Sequence, residues 1–344
     1  MELIGWLMLA TVALLVIFDY TNGFHDTANM VGAVIATRAM TPAQAIMLVS
    51  LFTFLGPLLG GTAVANTLGQ FLDLGDLSAP AGVAVVTSGV LGAVAWNLVT
   101  WWRGLPSSSS HALVGGLTGA VLMAAGSDHV NWGWQALIRH GEWSGVTKII
   151  AALLFSPLLG LLAGFLLLHL LKWLLHGATP KVNRLLRHLQ WPGVAWLAFS
   201  HGANDGQKSM GVITMILLLG GQLTEFEVPY WVMLLCAFAI TLGTASGGWR
   251  IVRTVGFGIY RMRPIHGFAS QLSSAAVISG AASFGAPVST THLVSSSIMG
   301  AGAADRPKGV RWSKAEEILF TWLITLPGTA FAGAGCHTLL GYWT

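Results

Sequence analysis

Two aspartates, Asp26 and Asp205, interrupt long apolar runs within Gly/Asn-rich segments, and each is followed by a Pro-led run of hydroxyl residues ending in His. The first copy reads Asn22-Gly23-Phe24-His25-Asp26-Thr27-Ala28-Asn29, then Leu105-Pro106-Ser107-Ser108-Ser109-Ser110-His111. The second reads His201-Gly202-Ala203-Asn204-Asp205-Gly206-Gln207-Lys208, then Ala286-Pro287-Val288-Ser289-Thr290-Thr291-His292. Asp precedes His by 85 residues in one copy and 87 in the other. A charge at bilayer depth costs roughly 2.5–3.5 kcal/mol on insertion scales, so two such carboxylates point to a task. Carboxylate oxygens, the amide oxygens of Asn22, Asn29 and Asn204, and carbonyls of an unwound backbone would make a cage for a hard cation. A carboxylate can alternatively carry a proton. The competing reading is that each Asp caps a broken helix, which Ser, Thr or Asn would do at lower cost in lipid.

The hydroxyl tips suit the opposite charge. Pro at a helix start, followed by hydroxyls beside free N–H groups, makes an anion nest at the positive end of the helix dipole. Ser107, Ser108, Ser109 and Ser110 on one side, with Ser289, Thr290 and Thr291 on the other, would surround a tetrahedral oxyanion with neutral donors. The alternative is that they are only structural caps. Lys208 either pairs with Asp205 or balances a bound anion. His111 and His292 end the tips and are expected to orient them through a ring N–H. No H-x-x-x-H or carboxylate–His spacing supports a fixed metal, so none is expected. A Ser–His hydrolase is also excluded, because the G-x-S-x-G elbow is absent and a single-nucleophile enzyme has no use for duplication.

These groups must be positioned by helices in lipid. The 344 residues are 54% hydrophobic and only 9% charged, far below the roughly 25% of a soluble domain. The net charge of +4 resides in short loops, which the positive-inside rule explains better than nucleic-acid binding does. Met1-Glu2-Leu3-Ile4 lacks the positive start of a cleavable signal. Cys236 and Cys336 lie in apolar segments without metal-ligand or CxxC spacing and read as inert packing residues. Ten apolar segments are expected to cross or nearly cross: 3–38, 43–60, 82–102, 108–125, 147–175, 191–221, 229–249, 267–285, 289–303 and 315–341. The first and sixth exceed the roughly 20 residues of one span and carry the Asp motifs, so they are expected to be broken or strongly tilted. The fourth and ninth are short and read either as re-entrant half-helices or as full crossings.

With the N-terminus outside, the loops near Arg38, Arg103, 172–187, 250–263 and 306–314 hold 14 of the 17 Lys and Arg residues on the cytoplasmic side. Arg139 and Lys148 fall outside, and both termini are then external. Five segments per half is an odd number, so the halves insert with opposite orientation. The expectation is an all-α polytopic membrane protein of two inverted-topology repeats, with broken helices and re-entrant Ser/Thr-rich hairpin tips. Repeat 1 would occupy 1–175 and repeat 2 191–344, joined by a basic cytoplasmic linker over 176–190. Small-residue faces at Gly115-Gly116 and Gly160 would pack helices either within one chain or between copies in a homodimer.

At these residues the chain resembles the inorganic phosphate transporter family of Pi symporters. The Asp motifs are similar to that family's Gly-Ala-Asn-Asp-x-Ala-Asn-like signature. The segments Pro106 to His111 and Pro287 to His292 are similar to its Pro-x-Ser-x-Thr-His-like tip. The likeness covers nearly the whole chain, without the large soluble insert between the halves. It implies a secondary active symporter, multi-pass in the cell inner (plasma) membrane, importing inorganic phosphate driven by H⁺ or Na⁺, with no cofactor. Asp26, Asp205, Asn22, Asn29 and Asn204 would carry the coupling cation. The seven hydroxyl residues with Gln207 and Lys208 would bind phosphate. One departure is His25, where the signature has Asn. The bacterial low-affinity branch shares Phe-His-Asp here and is associated with proton coupling and with phosphate moving as a complex of Mg²⁺ or another divalent metal. An imidazole titrates near neutral pH, which suits proton coupling, although His25 could equally donate to Asp26 as Asn would. The rivals are a sulfate symporter on the same scaffold and an ion channel.

The charge bias makes a topological prediction. Single Cys substitutions at Arg184 and Arg261 should resist an impermeant thiol reagent applied outside, while Cys at Asp73 or Glu225 should react. Labelling of positions 184 and 261 from outside overturns the orientation.

Overall fold

In hydrocarbon the backbone must satisfy its own hydrogen bonds, which leaves the helix as the only open-chain solution. A computed structural model describes residues 2–341, with side-chain burial described for 4–340. Residue 1 and residues 342–344, on which the placement of the termini bears, lie outside the described residues. Among the described residues every regular element is a helix, with one isolated bridge between Leu72 and Val130.

Helix α1 (Glu2–Ala36) is followed by α2 (Pro42–Leu59), whose start is fixed by a reciprocal capping box between Thr41 and Gln44. The short α3 (Ala63–Gly69) precedes α4 (Ala79–Arg103), which ends on Gly104 in the left-handed region at φ 69°. After the Pro-Ser tip come α5 (Ser109–Ala124), the short α6 (Trp134–His140) and α7 (Gly145–Leu174). Helix α8 (Val182–Leu219) opens the second half, followed by α9 (Tyr230–Ser246) and α10 (Trp249–Arg253), which runs into a π-turn over Thr254–Gly258. Helix α11 (Pro264–Ser283), α12 (Thr290–Asp305) and α13 (Trp312–Gly341) complete the chain.

Two expectations need correction. First, α1 and α8 run unbroken through the Asp motifs, which removes the broken-helix alternative and leaves the tilted one, and no unwound carbonyls face Asp26 or Asp205. At 1.5 Å per residue they are roughly 52 and 57 Å long, well beyond a hydrocarbon core of about 30 Å. Second, the basic stretch 176–190 is helical from Val182 onward rather than a loop throughout. By length and average apolarity, five helices among the described residues could each cross a membrane: most of α1, with α2, α4, α7 and α13. A sixth is added if α9 and 249–258, bent by 59°, count as one broken span. Helices α5 and α12, at 16 residues, reach only about 24 Å. The long helices α8 and α11 fall short in composition, not length, because they bury polar side chains such as Gln190, Gln271 and Ser274.

The helices pair reciprocally: α1 packs on α9 as α8 packs on α2, and α12 on α7 as α5 on α13. Glycines that read as helix breaks are contact points instead. A Cβ on Gly23 would lie 2.1 Å from the Ile240 carbonyl oxygen of α9, and one on Gly202 would lie 2.4 Å from that of Thr53 on α2. Backbones thus touch where α1 and α8 cross their partners, which locks the Asp-bearing faces in depth and rotation. The small-residue faces are also spent inside the chain: Gly115 abuts α13, Gly116 abuts Gly89 of α4, and Gly160 abuts Leu293 of α12. Of the two alternatives for these faces, packing within one chain holds, and packing between copies in a homodimer loses that basis.

At the crossing, Gly23→Ala should lower the melting temperature of detergent-purified protein, corresponding to about 1–3 kcal/mol of overpacking. Gly5→Ala on the same helix, where an added Cβ meets nothing within 4 Å among the described residues, should be neutral or slightly stabilising. Equal behaviour of the two variants would refute the close-contact reading.

Candidate functional site

The α4–α5 and α11–α12 tips meet inside the protein, where the Ser110 hydroxyl donates to the Val288 carbonyl at 3.2 Å. Each tip is shaped by its own hydroxyl cap. Ser108 Oγ accepts from the His111 amide at 3.2 Å, and Ser289 Oγ accepts from the His292 amide at 3.3 Å. That leaves the first-turn N–H groups of two sixteen-residue helices directed at one place, each with its dipole's positive end.

Against these tips lie α1 and α8, and Asp26 and Asp205 are fully buried there. The Thr290 hydroxyl stands 3.1 Å from Asp26 Oδ2 and 3.1 Å from Asp205 Oδ2. One hydroxyl proton cannot fully serve two carboxylates, so the pair shares a donor. The remaining contacts are also paired. The Thr291 hydroxyl donates to Asp26 Oδ1 at 2.8 Å and accepts from Asn29 Nδ2 at 3.0 Å. His25 Nδ1 is 3.1 Å from Asp26 Oδ1, and its Nε2 lies 3.4 Å from Ser107 Oγ. Asn204 Nδ2 donates to Asp205 Oδ1 at 2.8 Å and to the Val288 carbonyl at 3.0 Å. Lys208, one turn beyond Asp205, reaches both that carboxylate and the Ser110 hydroxyl. Ser109 donates to Asn22 Oδ1 at 2.6 Å.

The structure therefore assembles nearly every residue singled out from the sequence, from four helices and two turns. Gln207 is the exception. Its amide points away from the tips, accepting from the Val64 amide at 2.9 Å and donating to the Gly60 carbonyl at 3.2 Å, and so ties α3 to α8. The two tip histidines differ in use. His111 Nδ1 meets Ser108 Oγ at 2.8 Å, whereas His292 stacks on Trp322 with ring centroids 3.9 Å apart. Trp322 in turn donates to the Pro106 carbonyl at 3.2 Å, joining one tip to the helix that backs the other.

One expectation is overturned: a carboxylate–histidine spacing is present. His201 and Asp205 are four apart on α8 and share a face, with His201 Nδ1 3.3 Å from Asp205 Oδ2. Potential ligand atoms of Asp26, His201 and Asp205 lie within 4.8 Å of one another, a grouping able to hold an ion. Among the described residues, neither ring nitrogen of His201 has a hydrogen-bond partner, and the amide oxygens of Asn29 and Asn204 are buried without one. Acceptors left bare in a dry site fit a hard cation. The i, i+4 signal was visible in His201-Gly202-Ala203-Asn204-Asp205 once the segment is taken as helix. Asp19 was also missed. It is fully buried two turns before Asp26 and accepts from Ser209. Its seven-residue spacing from Asp26 was the available clue.

Comparison with known proteins finds similarity over nearly the whole chain. Residues 22–182 and 175–333 match the family described as "Phosphate transporter family". A "Probable low-affinity inorganic phosphate transporter" of Bacillus subtilis is 40% identical over 99% of both chains. Another of the same description, from Rhizobium meliloti, is 39% identical over 96% of both. "Low-affinity inorganic phosphate transporter PitB" of Escherichia coli is 28% identical, covering 97% of this chain and 96% of its own. A solved structure described as "The sodium-dependent phosphate transporter" superposes with a TM-score of 0.86 at 23% identity, covering 98% of this chain and 99% of its own, which establishes a common fold.

Thr290 offers a direct probe of the geometry. Thr290→Val removes the donor shared by two buried carboxylates and should destabilise the purified protein by about 1–3 kcal/mol, while Thr290→Ser should restore most of it. The melting temperatures of the two variants check this, and equal loss in both would assign Thr290 to packing alone.

Proposed function

The chain belongs to the phosphate transporter family, and from that premise we propose a symporter that imports inorganic phosphate with H⁺ or Na⁺ through the paired-carboxylate site. It is a multi-pass membrane transporter and not an enzyme. The observation that carries the mechanism is the placement of Asp26 and Asp205 at one hydroxyl, between two helix N-termini.

The formal charges of Asp26, Asp205 and Lys208 sum to one negative charge. Unit charges about 4 Å apart interact by roughly 4 kcal/mol at an effective dielectric constant of 20. A phosphate dianion entering such a site alone is repelled, so a travelling cation must enter with it, and this is the coupling. The amide oxygens of Asn29 and Asn204 suit Na⁺, while His25 against Asp26 suits a proton. The hydroxyls of Ser109, Ser110, Thr290 and Thr291, now held by protein acceptors, would turn to the oxyanion with the first-turn amides. Carboxylates within reach also favour phosphate over sulfate, because phosphate keeps an O–H to donate near neutral pH and sulfate does not.

Reorientation between the two faces follows from the reading of two inverted repeats with re-entrant tips, which the reciprocal helix pairing supports. The basic face would be cytoplasmic, in a plasma membrane. A second reading is favoured by the Asp26, His201 and Asp205 grouping: the metal of a divalent metal–phosphate complex would be held there as cargo. Uptake rising with added Mg²⁺ in the unmodified protein and not in His201→Ala would support it.

Asp26→Asn and Asp205→Asn should each abolish phosphate uptake into proteoliposomes at normal membrane abundance, since neither variant can exchange a cation there. Imposing Na⁺ and H⁺ gradients separately identifies the driving ion, and arsenate should compete where selenate does not. Substantial transport by both variants would sink the assigned role.

A further inference from the structure

Away from the paired carboxylates, a cleft of about 750 Å³ opens on the basic face of the protein. Five arginines line it: Arg38 after α1, Arg187 on α8, Arg261 and Arg263 before α11, and Arg311 before α13. Among the described residues, no acidic side chain lines it. All five are exposed. Arg263 alone among them forms a salt bridge among the described residues, 2.6 Å from Asp305, which lies outside the cleft. The others gather unneutralised charge from four separate parts of the chain.

A bias of positive loops needs only a charge count near helix ends and does not require convergence on one cavity. The backbone at Arg38 adds a second sign. It has φ 56°, the left-handed conformation that glycine or asparagine ordinarily supplies at a helix C-terminus, and it is the only non-glycine residue with positive φ among those described. A glycine here would relieve the backbone, so the arginine serves its side chain. Guanidinium groups bind phosphoryl oxygens two at a time, and several in one concavity reinforce each other's field.

We propose that this cleft binds a ligand carrying two or more phosphoryl groups, a soluble oligophosphate or a multiply phosphorylated lipid headgroup. The clustered positive charge exceeds what one orthophosphate can neutralise. A ligand there would tie the end of α1 to α8 and to the segments leading into α11 and α13. It would thereby resist any movement of these elements against one another. The inference does not rest on the transport reading, because it concerns a separate cavity and is read by binding.

The experiment uses purified full-length protein in nanodiscs of zwitterionic lipid, with inorganic tripolyphosphate as probe. Tripolyphosphate should bind at least tenfold more tightly than orthophosphate, raise the melting temperature, and weaken steeply with added salt. Arg38→Gly should lose about tenfold in affinity while its melting temperature without ligand rises, a combination that a structural role for Arg38 would not produce. The double variant Arg187→Gln with Arg261→Gln should lose more, and Lys308→Gln, on the same face but outside the cleft, should bind normally. Nanodiscs containing cardiolipin identify the source. Arginine-dependent stabilisation by cardiolipin with exclusion of tripolyphosphate supports the lipid, and its absence with tripolyphosphate still binding supports the soluble ligand. Failure of both to bind, or binding indifferent to Arg38, Arg187 and Arg261, overturns the proposal.

Discussion

Two carboxylates sealed from solvent and within reach of a single hydroxyl set the terms for the rest of this protein. Neither is tolerable in a dry interior unless opposite charge or donors surround it. Lys208, His25, Asn204, Thr290 and Thr291 are arranged around them for that purpose. The tips exist in their present shape because something must present hydroxyls and helix N-termini at that depth. The glycine crossings exist because α1 and α8 must hold the two aspartates face to face. Local chemistry and global packing answer the same electrostatic demand.

The tips also show how one hydroxyl run is divided between structure and chemistry. Ser108 and Ser289 are consumed as caps, as the structural alternative holds for them. Ser109, Ser110, Thr290 and Thr291 sit in the first helical turn and reach into the site. The cap makes the neighbouring donors usable, because it fixes the angle at which the first turn meets the carboxylates. Trp322 then braces both tips from α13 through its ring on one side and its N–H on the other.

Much of the site was legible in the sequence because its signal is chemical: an Asp in an apolar run and four consecutive serines stand out against lipid-grade composition. What was not legible was geometric. Gly and Asn beside Asp26 read as helix breaks, since propensities measured in water penalise them, yet in lipid Gly23 and Gly202 are where backbones meet. That misreading also hid the His201–Asp205 pair, whose common face exists only if the helix continues. Gln207 followed the motif in sequence but points to the other side of α8, a hundred degrees of helical rotation per residue separating it from its neighbours' task. Average apolarity undercounts helices such as α8 and α11, whose buried faces are polar.

Lys208 has one more consequence. It is a counter-charge that never leaves, so it reduces by one the number of cations that must accompany each anion. On the proposed reading, it thereby fixes how much net charge crosses per cycle and which leg of the cycle feels the membrane potential. One elementary charge moved through 100 mV is worth about 2.3 kcal/mol. A carrier whose empty site retains a single negative charge returns under that force, whereas one whose loaded site is neutral does not. A resident ammonium on α8 would thus decide, through stoichiometry alone, whether voltage acts on delivery or on return.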